Sequence, residues 1–145
     1  MIKHDSFVRK HLESITTNLL YLGHTLRITN LYLTFGAHIR ELIDLIKKTT
    51  TTLLPNCKLF IVGDFNIDML QSKKSQSTLV KFMQYHKLTQ VVNTPTTQAG
   101  TLLDQIWIQN IDPSLPTFTP LDAYWSAHFA VSLWLPLQHK QQQKA

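Results

Sequence analysis

The sequence predicts an α/β domain in which a mixed sheet is flanked by helices. Segments with the alternation and residue types of strands take turns along the chain with segments of helical periodicity. Hydrophobic residues make up 43% of the chain and charged residues 16%, which is typical of a globular protein with a substantial core. The 145 residues suit one domain, which we place at 1–136, and we predict that the polar tail at 137–145 is disordered.

The first strand and helix are predicted between residues 26 and 52. Leu26–Leu33 alternates and is rich in strand formers, and Gly36 follows it as a break. The next apolar positions repeat at the spacing of one helix face; they are Ile39, Leu42, Ile43 and Ile46. The threonine run 49–52 and Pro55 are expected to end this helix.

The second half repeats this order. Leu59–Val62 is a short apolar run stopped by Gly63, as in a strand buried on both faces. After a polar loop, helical spacing returns at Leu79, Phe82, Met83 and His86. Further strands are expected at 90–92, 101–108 and 129–135. The proline-rich segment 112–120 is predicted to be a loop.

The charge and cysteine content exclude few partners. The net charge of +5 favours contact with polyanions, but the lysine pairs are dispersed and do not form one patch. Cys57 is the only cysteine, so an internal disulfide is impossible. We see no apolar stretch long enough to span a membrane and no secretory signal, so we expect an intracellular location, for which the nucleus is one candidate.

Polar side chains stand where the predicted core strands end. Gly63-Asp64-Phe65-Asn66 follows the buried strand directly. In an extended chain, a carboxylate and an amide two residues apart point the same way and could hold a metal ion or a water at a phosphate. The alternative is a turn in which Asp64 and Asn66 bind local backbone groups.

Two later segments carry single ionisable residues. Asp104 shares a strand face with Leu102 and Ile106, where a carboxylate is costly unless it is paired, for example with a histidine. The alternative is a solvated strand end. His128 begins an apolar strand, and a lone histidine in that setting is more often structural than catalytic.

Taken together, these segments are more specific. Gly-Asp-Phe-Asn, Thr-Leu-Leu-Asp-Gln-Ile and Ser-Ala-His-Phe-Ala-Val, in that order, resemble the signature of the endonuclease/exonuclease/phosphatase family, whose usual forms are GD(F/L)N, an LD strand and SDH. Asn30–Leu33 is similar to the family's N-x-Y strand. The turn 93–97 and Tyr124-Trp125 look like the subgroup of non-LTR retrotransposons and Helitron-type elements. The resemblance covers about residues 7 to 136.

The resemblance implies the C-terminal half of a four-layer α/β sandwich, the DNase I-like fold, and hydrolysis of DNA phosphodiester bonds with Mg²⁺ or Mn²⁺. Asp64 would align or deprotonate the attacking water, or contact a second metal ion. Asn66 would hold that water and a phosphate oxygen, while Tyr32 and His128 would contact the phosphate. Asp104 would orient His128. The metal ligands would be Asp64, Asn66 and His128. All five side chains are then expected to converge at one end of a sheet.

Two departures from the family pattern lead us to expect weakened or absent activity. The family's early Asn and metal-binding Glu have no match before Asn30, because the surroundings of Glu13 differ from that motif. The SDH triplet reads Ser126-Ala127-His128, so a carboxylate is also missing there. The leading hypothesis is a truncated mobile-element nuclease domain.

Three other interpretations stay open. The chain could be an active enzyme completed by a partner chain, or a non-catalytic domain that kept the fold and binds nucleic acid or protein. The family's lipid and inositol-phosphate phosphatases are a further branch, against which the threonine-rich turn argues. Because strands for only one sheet are predicted, we also expect the uncovered face of 129–135 to drive self-association.

Overall fold

A computed structural model of the protein describes residues 2–34, 39–121 and 126–138. These residues form β1 (Ile2–Val8), β2 (Leu12–Tyr21), β3 (His24–Leu33), α1 (Ile39–Thr51), β4 (Lys58–Asp64), α2 (Lys74–Tyr85), β5 (Thr89–Gln90), β6 (Asp104–Gln109), β7 (Thr117–Leu121) and β8 (Ala130–Trp134). Gly36, Tyr124 and Trp125 lie outside the described residues, as does the tail from residue 139.

The strands form a six-stranded mixed sheet and a separate two-stranded sheet. The large sheet has the order β1-β2-β3-β4-β6-β5, and only β3 and β4 pair in parallel. Helix α1 connects these two strands, as a parallel pair requires. Strands β7 and β8 pair antiparallel in the small sheet. The predicted α/β architecture with a mixed sheet is therefore confirmed.

The core lies on both faces of β4. Leu59 and Ile61 are fully buried against the helices, in a cluster that includes Leu42 of α1 and Leu79 of α2. The intervening side chains, among them Phe60, pack on the opposite face with residues of β6 and β8. An apolar run without alternation is what a strand covered on both faces needs.

Helix α1 buries a slightly different face from the one predicted. Its buried side chains are Leu42, Leu45, Ile46 and Thr49, while Ile39 and Ile43 are only partly buried. The next three threonines bind carbonyls one turn back, as in the 2.8 Å hydrogen bond from Thr50 Oγ1 to Ile46 O. Such bonds turn polar side chains back onto the helix end, which the threonine run was expected to mark.

The prediction of a loop throughout 112–120 was wrong, because β7 occupies Thr117–Leu121. Pro120 argued against a strand, since proline lacks the N–H that a central strand donates. Strand β7 pairs only with β8, however, and an edge strand tolerates proline. The expectation that strands for only one sheet are present was wrong for the same reason.

Strands β1 and β2 were not predicted. Their local pattern is polar: all but one of the β1 residues are exposed, and the middle of β2 is only half-buried. Pairing accounts for their position, since β2 pairs with β3 and β1 pairs with β2. Thr16 and Thr29 join hydroxyls across β2 and β3 at 2.8 Å, and Arg27 Nε donates to Asn18 Oδ1 at 2.7 Å. Three other strands are shorter than predicted: β5 ends at Gln90, β6 begins at Asp104, and β8 spans only Ala130–Trp134.

The small sheet covers only part of the large one. Val131 and Leu133 of β8 pack towards Ile106, so their apolar face is directed inward. An open cavity of about 580 Å³ remains between the sheets, and its lining includes Leu26, Phe60, Leu135 and Leu137. Among the described residues, no helix combines the length and apolar character that crossing a bilayer requires.

Gly63 provides a test of the backbone at the end of β4. Its φ is +142°, and a Cβ built there would overlap the carbonyl oxygen of Leu31. We expect Gly63→Ala to lower the free energy of unfolding by about 3 kcal/mol or more, because backbone atoms must move. Gly100→Ala is the control, since φ is +83° but the space is open; it should cost only about 1–2 kcal/mol. Equal losses in urea unfolding would contradict this account.

Candidate active site

The register of the large sheet places four polar residues in one row. Glu13 on β2 is opposite Tyr32 on β3, Tyr32 is opposite Asp64 on β4, and Asp64 is opposite Asp104 on β6. Residues paired in this way point to the same face of a sheet. The row lies on the face away from the helices, because Leu33 and Phe65, the neighbours of Tyr32 and Asp64, belong to the helix-side core.

Asp64 and Asn66 form a local turn as well as part of this row. Asp64 Oδ1 accepts a 2.9 Å hydrogen bond from the backbone N–H of Asn66, whose φ is +47°. The amide nitrogen of Asn66 donates to Leu33 O at 2.5 Å. The turn considered as an alternative is therefore present, and it holds Asp64 in place. The side-chain nitrogen of Asn66 is therefore engaged by the carbonyl group at the end of β3.

His128 lies between the two aspartates of the row. Its Nδ1 donates to Asp104 Oδ2 at 2.7 Å, and its Nε2 is 3.7 Å from Asp64 Oδ2. The backbone N–H of His128 donates to Ser126 Oγ at 3.1 Å. Asp104 thus has the histidine partner that its position required. Because an ionised carboxylate only accepts hydrogen bonds, this contact fixes the proton of a neutral imidazole on Nδ1.

The surroundings change the acidity of both groups. The hydrogen bond to Asp104 raises the pKa of His128 above its ordinary value of 6.5, and the nearby carboxylates add to this effect, while partial burial opposes it. Burial raises the pKa of Asp64 above 3.8, against the lowering effect of its hydrogen bond from Asn66. The site therefore favours a protonated imidazole beside a carboxylate that holds its own proton more tightly than usual.

Tyr32 and Asn66 complete the set predicted from the sequence, with different outcomes. Tyr32 is next to Asp64 in the row and 49% exposed, so its phenol is accessible from solvent. Asn66 directly follows the row but is anchored to Leu33. The structure thus brings Tyr32, Asp64, Asp104 and His128 to one end of the sheet. The catalytic roles assigned to these five residues stay predictions.

Sequence reasoning missed the residues that fix the loops around the site. Asp68 Oδ1 accepts from the backbone N–H groups of Leu70 (3.1 Å) and Leu102 (2.9 Å). Gln105 is 1% exposed and donates through Nε2 to Ile67 O at 2.9 Å. Both side chains tie the segment after Asn66 to the segment around the start of β6. A glutamine on the helix-side face of β6 was the only available signal.

The family resemblance implies Mg²⁺, whose preferred ligands can be compared with the donor atoms of the site. Ligand atoms of Asp64, Asp104 and His128 lie within 4.8 Å of one another. Mg²⁺ prefers oxygen ligands in octahedral geometry. Here one carboxylate oxygen is engaged by the imidazole, another by the backbone of Asn66, and position 127 is an alanine. The residues present therefore do not fit a firmly held Mg²⁺.

The raised pKa of His128 makes a prediction for stability. Below pH 6.5 the imidazole is protonated in the folded and unfolded states, and the full stabilising contribution of its contacts is present. As the pH rises from 6.5 through the folded-state pKa, this contribution is lost. Urea midpoints between about pH 6 and pH 9 should therefore fall with pH, and fall less in Asp104→Asn. An equal pH dependence in both proteins would contradict the assignment.

Solved structures with a similar fold come from several sources. The endonuclease domain of TRAS1, a telomere-specific non-LTR retrotransposon, is 15% identical with a TM-score of 0.67, and the match covers 94% of this chain and 69% of that one. An endonuclease/exonuclease/phosphatase family protein from Leptotrichia buccalis is 12% identical (TM-score 0.68; 94% and 61%). The human Nocturnin catalytic domain is 16% identical (0.61; 92% and 60%).

The chain thus spans less than two thirds of the length of the last two proteins. No protein-family model matches the sequence, and no curated protein does. At these identities the likeness concerns the fold. The chain therefore has the DNase I-like fold of the endonuclease/exonuclease/phosphatase family, as the order of its motifs predicts.

Proposed function

We propose that the chain is a nuclease-fold domain related to mobile-element DNA endonucleases, with a phosphodiester-cleaving centre that is weakened or inactive in the chain alone. The observation that carries the proposal is the position of His128, which binds Asp104 through Nδ1 and faces Asp64 through Nε2. The fold shared with the TRAS1 endonuclease domain supports it. An intracellular, DNA-containing compartment such as the nucleus is part of the same proposal.

The chemistry follows from the two shifted groups. A protonated His128 can donate from Nε2 to a phosphoryl oxygen, while Asp104 keeps the imidazole oriented. Asp64, whose pKa burial raises, is a better proton acceptor than a solvated aspartate and is placed to take a proton from an attacking water. Tyr32, exposed beside Asp64, would contact the phosphate. Asn66 would support Asp64 through its backbone.

The incomplete donor set is the reason to propose weak or absent hydrolysis. An exposed alanine stands at position 127, where the family has an aspartate. Among the described residues, only Asp64, Asp104 and His128 have ligand atoms close enough to share an ion, and Glu13 of the same row is not in this group, so little charge is available to attract a divalent cation. The ligand set implied by the family resemblance, Asp64, Asn66 and His128, would hold Mg²⁺ or Mn²⁺ only weakly, because a protonated imidazole has no nitrogen lone pair to offer.

DNA is the proposed partner. A groove of about 360 Å³ begins at Asn66 and is lined in part by Gln71, Lys73 and Thr101. Lysine and amide groups beside the site are suited to the phosphates that flank a bond. The net charge of +5 adds a long-range attraction. A non-catalytic domain that binds nucleic acid or protein is the second candidate, favoured by Ala127.

Self-association through the cavity between the sheets is also proposed, with a second copy of the chain as the partner. Leu135 lines this cavity, whereas Leu121 at the end of β7 is 51% exposed and is not among the lining residues. We expect the sedimentation coefficient to rise with protein concentration and Leu135→Lys to reduce that rise; Leu121→Lys is the matched control. A monomer at all concentrations would contradict self-association.

The activity test uses supercoiled plasmid. The chain should not nick it above background in Mg²⁺ or Mn²⁺, and Ala127→Asp should restore little, because a single added carboxylate does not complete the ligand set. Metal-dependent nicking that falls by about 10²–10⁴-fold in Asp64→Ala or His128→Ala would show an active centre and overturn the proposed loss of activity.

Binding to DNA provides the complementary measurement. Weak binding should weaken steeply with salt, and Lys73→Ala should lower the slope of log K against log salt by about 0.9. Lys47→Ala is the control, since Lys47 is exposed on α1 and is not among the residues that line the groove. Absence of binding at low salt, or equal effects of the two substitutions, would sink the assignment of the groove.

A further inference from the structure

Thr96 is hydrogen-bonded to the backbone of Asp104 and to the backbone of the residue after His128, although it lies in neither β6 nor β8. It is in the turn 93–97 that precedes β6, and its side chain is fully buried, with 0% exposure. In the sequence, this turn is informative only through its likeness to one subgroup of the family. Its hydrogen bonds give it a further part in the site.

The side chain of Thr96 binds the start of β6. Its Oγ1 accepts hydrogen bonds from the backbone N–H groups of Leu103 and Asp104, each at 3.1 Å. The carbonyl oxygen of Thr96 accepts from the N–H of Phe129, next to His128, at 2.7 Å. One buried residue is therefore bonded to the backbone of Asp104 and to the backbone beside His128.

The next two residues continue the connection on the histidine side. Thr97 forms an isolated antiparallel bridge with His128, and the N–H of Gln98 donates to Ala127 O at 2.9 Å. On the other side, the N–H groups of Thr96 and Thr97 donate to Thr101 O at 2.9 and 3.2 Å. Residues 96–98 thus act as a spacer between the loop that enters β6 and the segment that carries His128.

The hydroxyl is the only side-chain contact in this spacer that reaches the aspartate. Two adjacent backbone N–H groups need an acceptor at this buried position, and one oxygen serves both. Without it, the peptide before Asp104 has to turn to find another acceptor, which moves the carboxylate. The 2.7 Å hydrogen bond to His128 is sensitive to such a movement, because hydrogen bonds weaken steeply with distance and angle.

We propose that Thr96 is a positioning residue of the site: its hydroxyl and carbonyl groups hold Asp104 and His128 at the separation at which the carboxylate accepts the imidazole N–H. The proposal rests on the proposed function for its importance in catalysis. The positioning of the two side chains does not depend on that function, since the position of the imidazole proton can be measured in a protein without turnover.

The experiment compares Thr96→Val, which has nearly the same shape but no hydroxyl, with Thr96→Ser, which keeps it. Long-range ¹H–¹⁵N correlation spectra, recorded at a pH high enough that the imidazole is neutral, give the ratio of the Nδ1–H and Nε2–H forms of His128. Wild type and Thr96→Ser should hold mainly the Nδ1–H form. In Thr96→Val this ratio should fall by about twofold or more, towards the value in Asp104→Asn.

Thr94→Val is the matched control, because Thr94 is an exposed threonine in the same turn; it should leave the ratio unchanged. An unchanged ratio in a folded Thr96→Val protein would overturn the proposal, as would an equal fall in Thr96→Ser. A purely structural loss would lower the melting temperature of both Thr96 variants without separating their tautomer ratios.

A wild-type measurement keeps the test open if Thr96→Val does not fold. Hydrogen exchange of the amides of Leu103 and Asp104 should be slow and of similar rate, because the hydroxyl oxygen of Thr96 accepts from both. Rapid exchange at either amide while the rest of β6 stays protected would overturn the role of the hydroxyl. If the tautomer result holds but the chain nicks plasmid in a metal-dependent way, the positioning role stands and the proposed loss of activity fails.

Discussion

The register of β4 is the constraint on which the rest of the structure depends. This strand joins the parallel pair with β3 to the antiparallel pair with β6, so its alternation sets the faces of the whole large sheet. Leu59 and Ile61 must point to the helices to form the core, and Asp64 then has to point the other way. A shift of one residue would bury the carboxylate under the helices. The hydrophobic core therefore decides where the acid of the site stands.

The parts of the fold that the sequence predicts are those with a strong local pattern. The apolar run of β4 and the periodic apolar face of α2 can be recognised in the sequence, because burial requires apolar residues at these positions. Strand β1 carries no such pattern, since it lies at the edge of the sheet and is mostly exposed. Strand β7 was not predicted because it contains Pro120. A proline is acceptable there because β7 has a single partner strand, which the sequence does not reveal.

The contacts of the site also differ in whether a local sequence pattern predicts them. The pairing of Asp104 with a histidine was predictable, because a carboxylate on an apolar strand face needs a partner. The anchoring of Asn66 to Leu33, and the part played by Thr96, depend on hydrogen bonds between segments distant in the sequence. No local pattern specifies such contacts. A positive φ angle at Asn66 and a partly buried charge at Asp64 are local free-energy costs only two residues apart, and the well-packed core can support them.

The two halves of the site rest on parts of the molecule with unequal packing. Asp64 is the last residue of β4, in which Leu59 and Ile61 are fully buried, whereas His128 precedes β8, whose five residues are exposed or only partly buried. Segments with few buried apolar contacts open locally at a lower free energy than the global core. Heating should therefore detach the segment that carries His128 before the large sheet melts. The temperature at which the site comes apart is then set by how firmly the small sheet stays docked, and it lies below the temperature at which the chain unfolds.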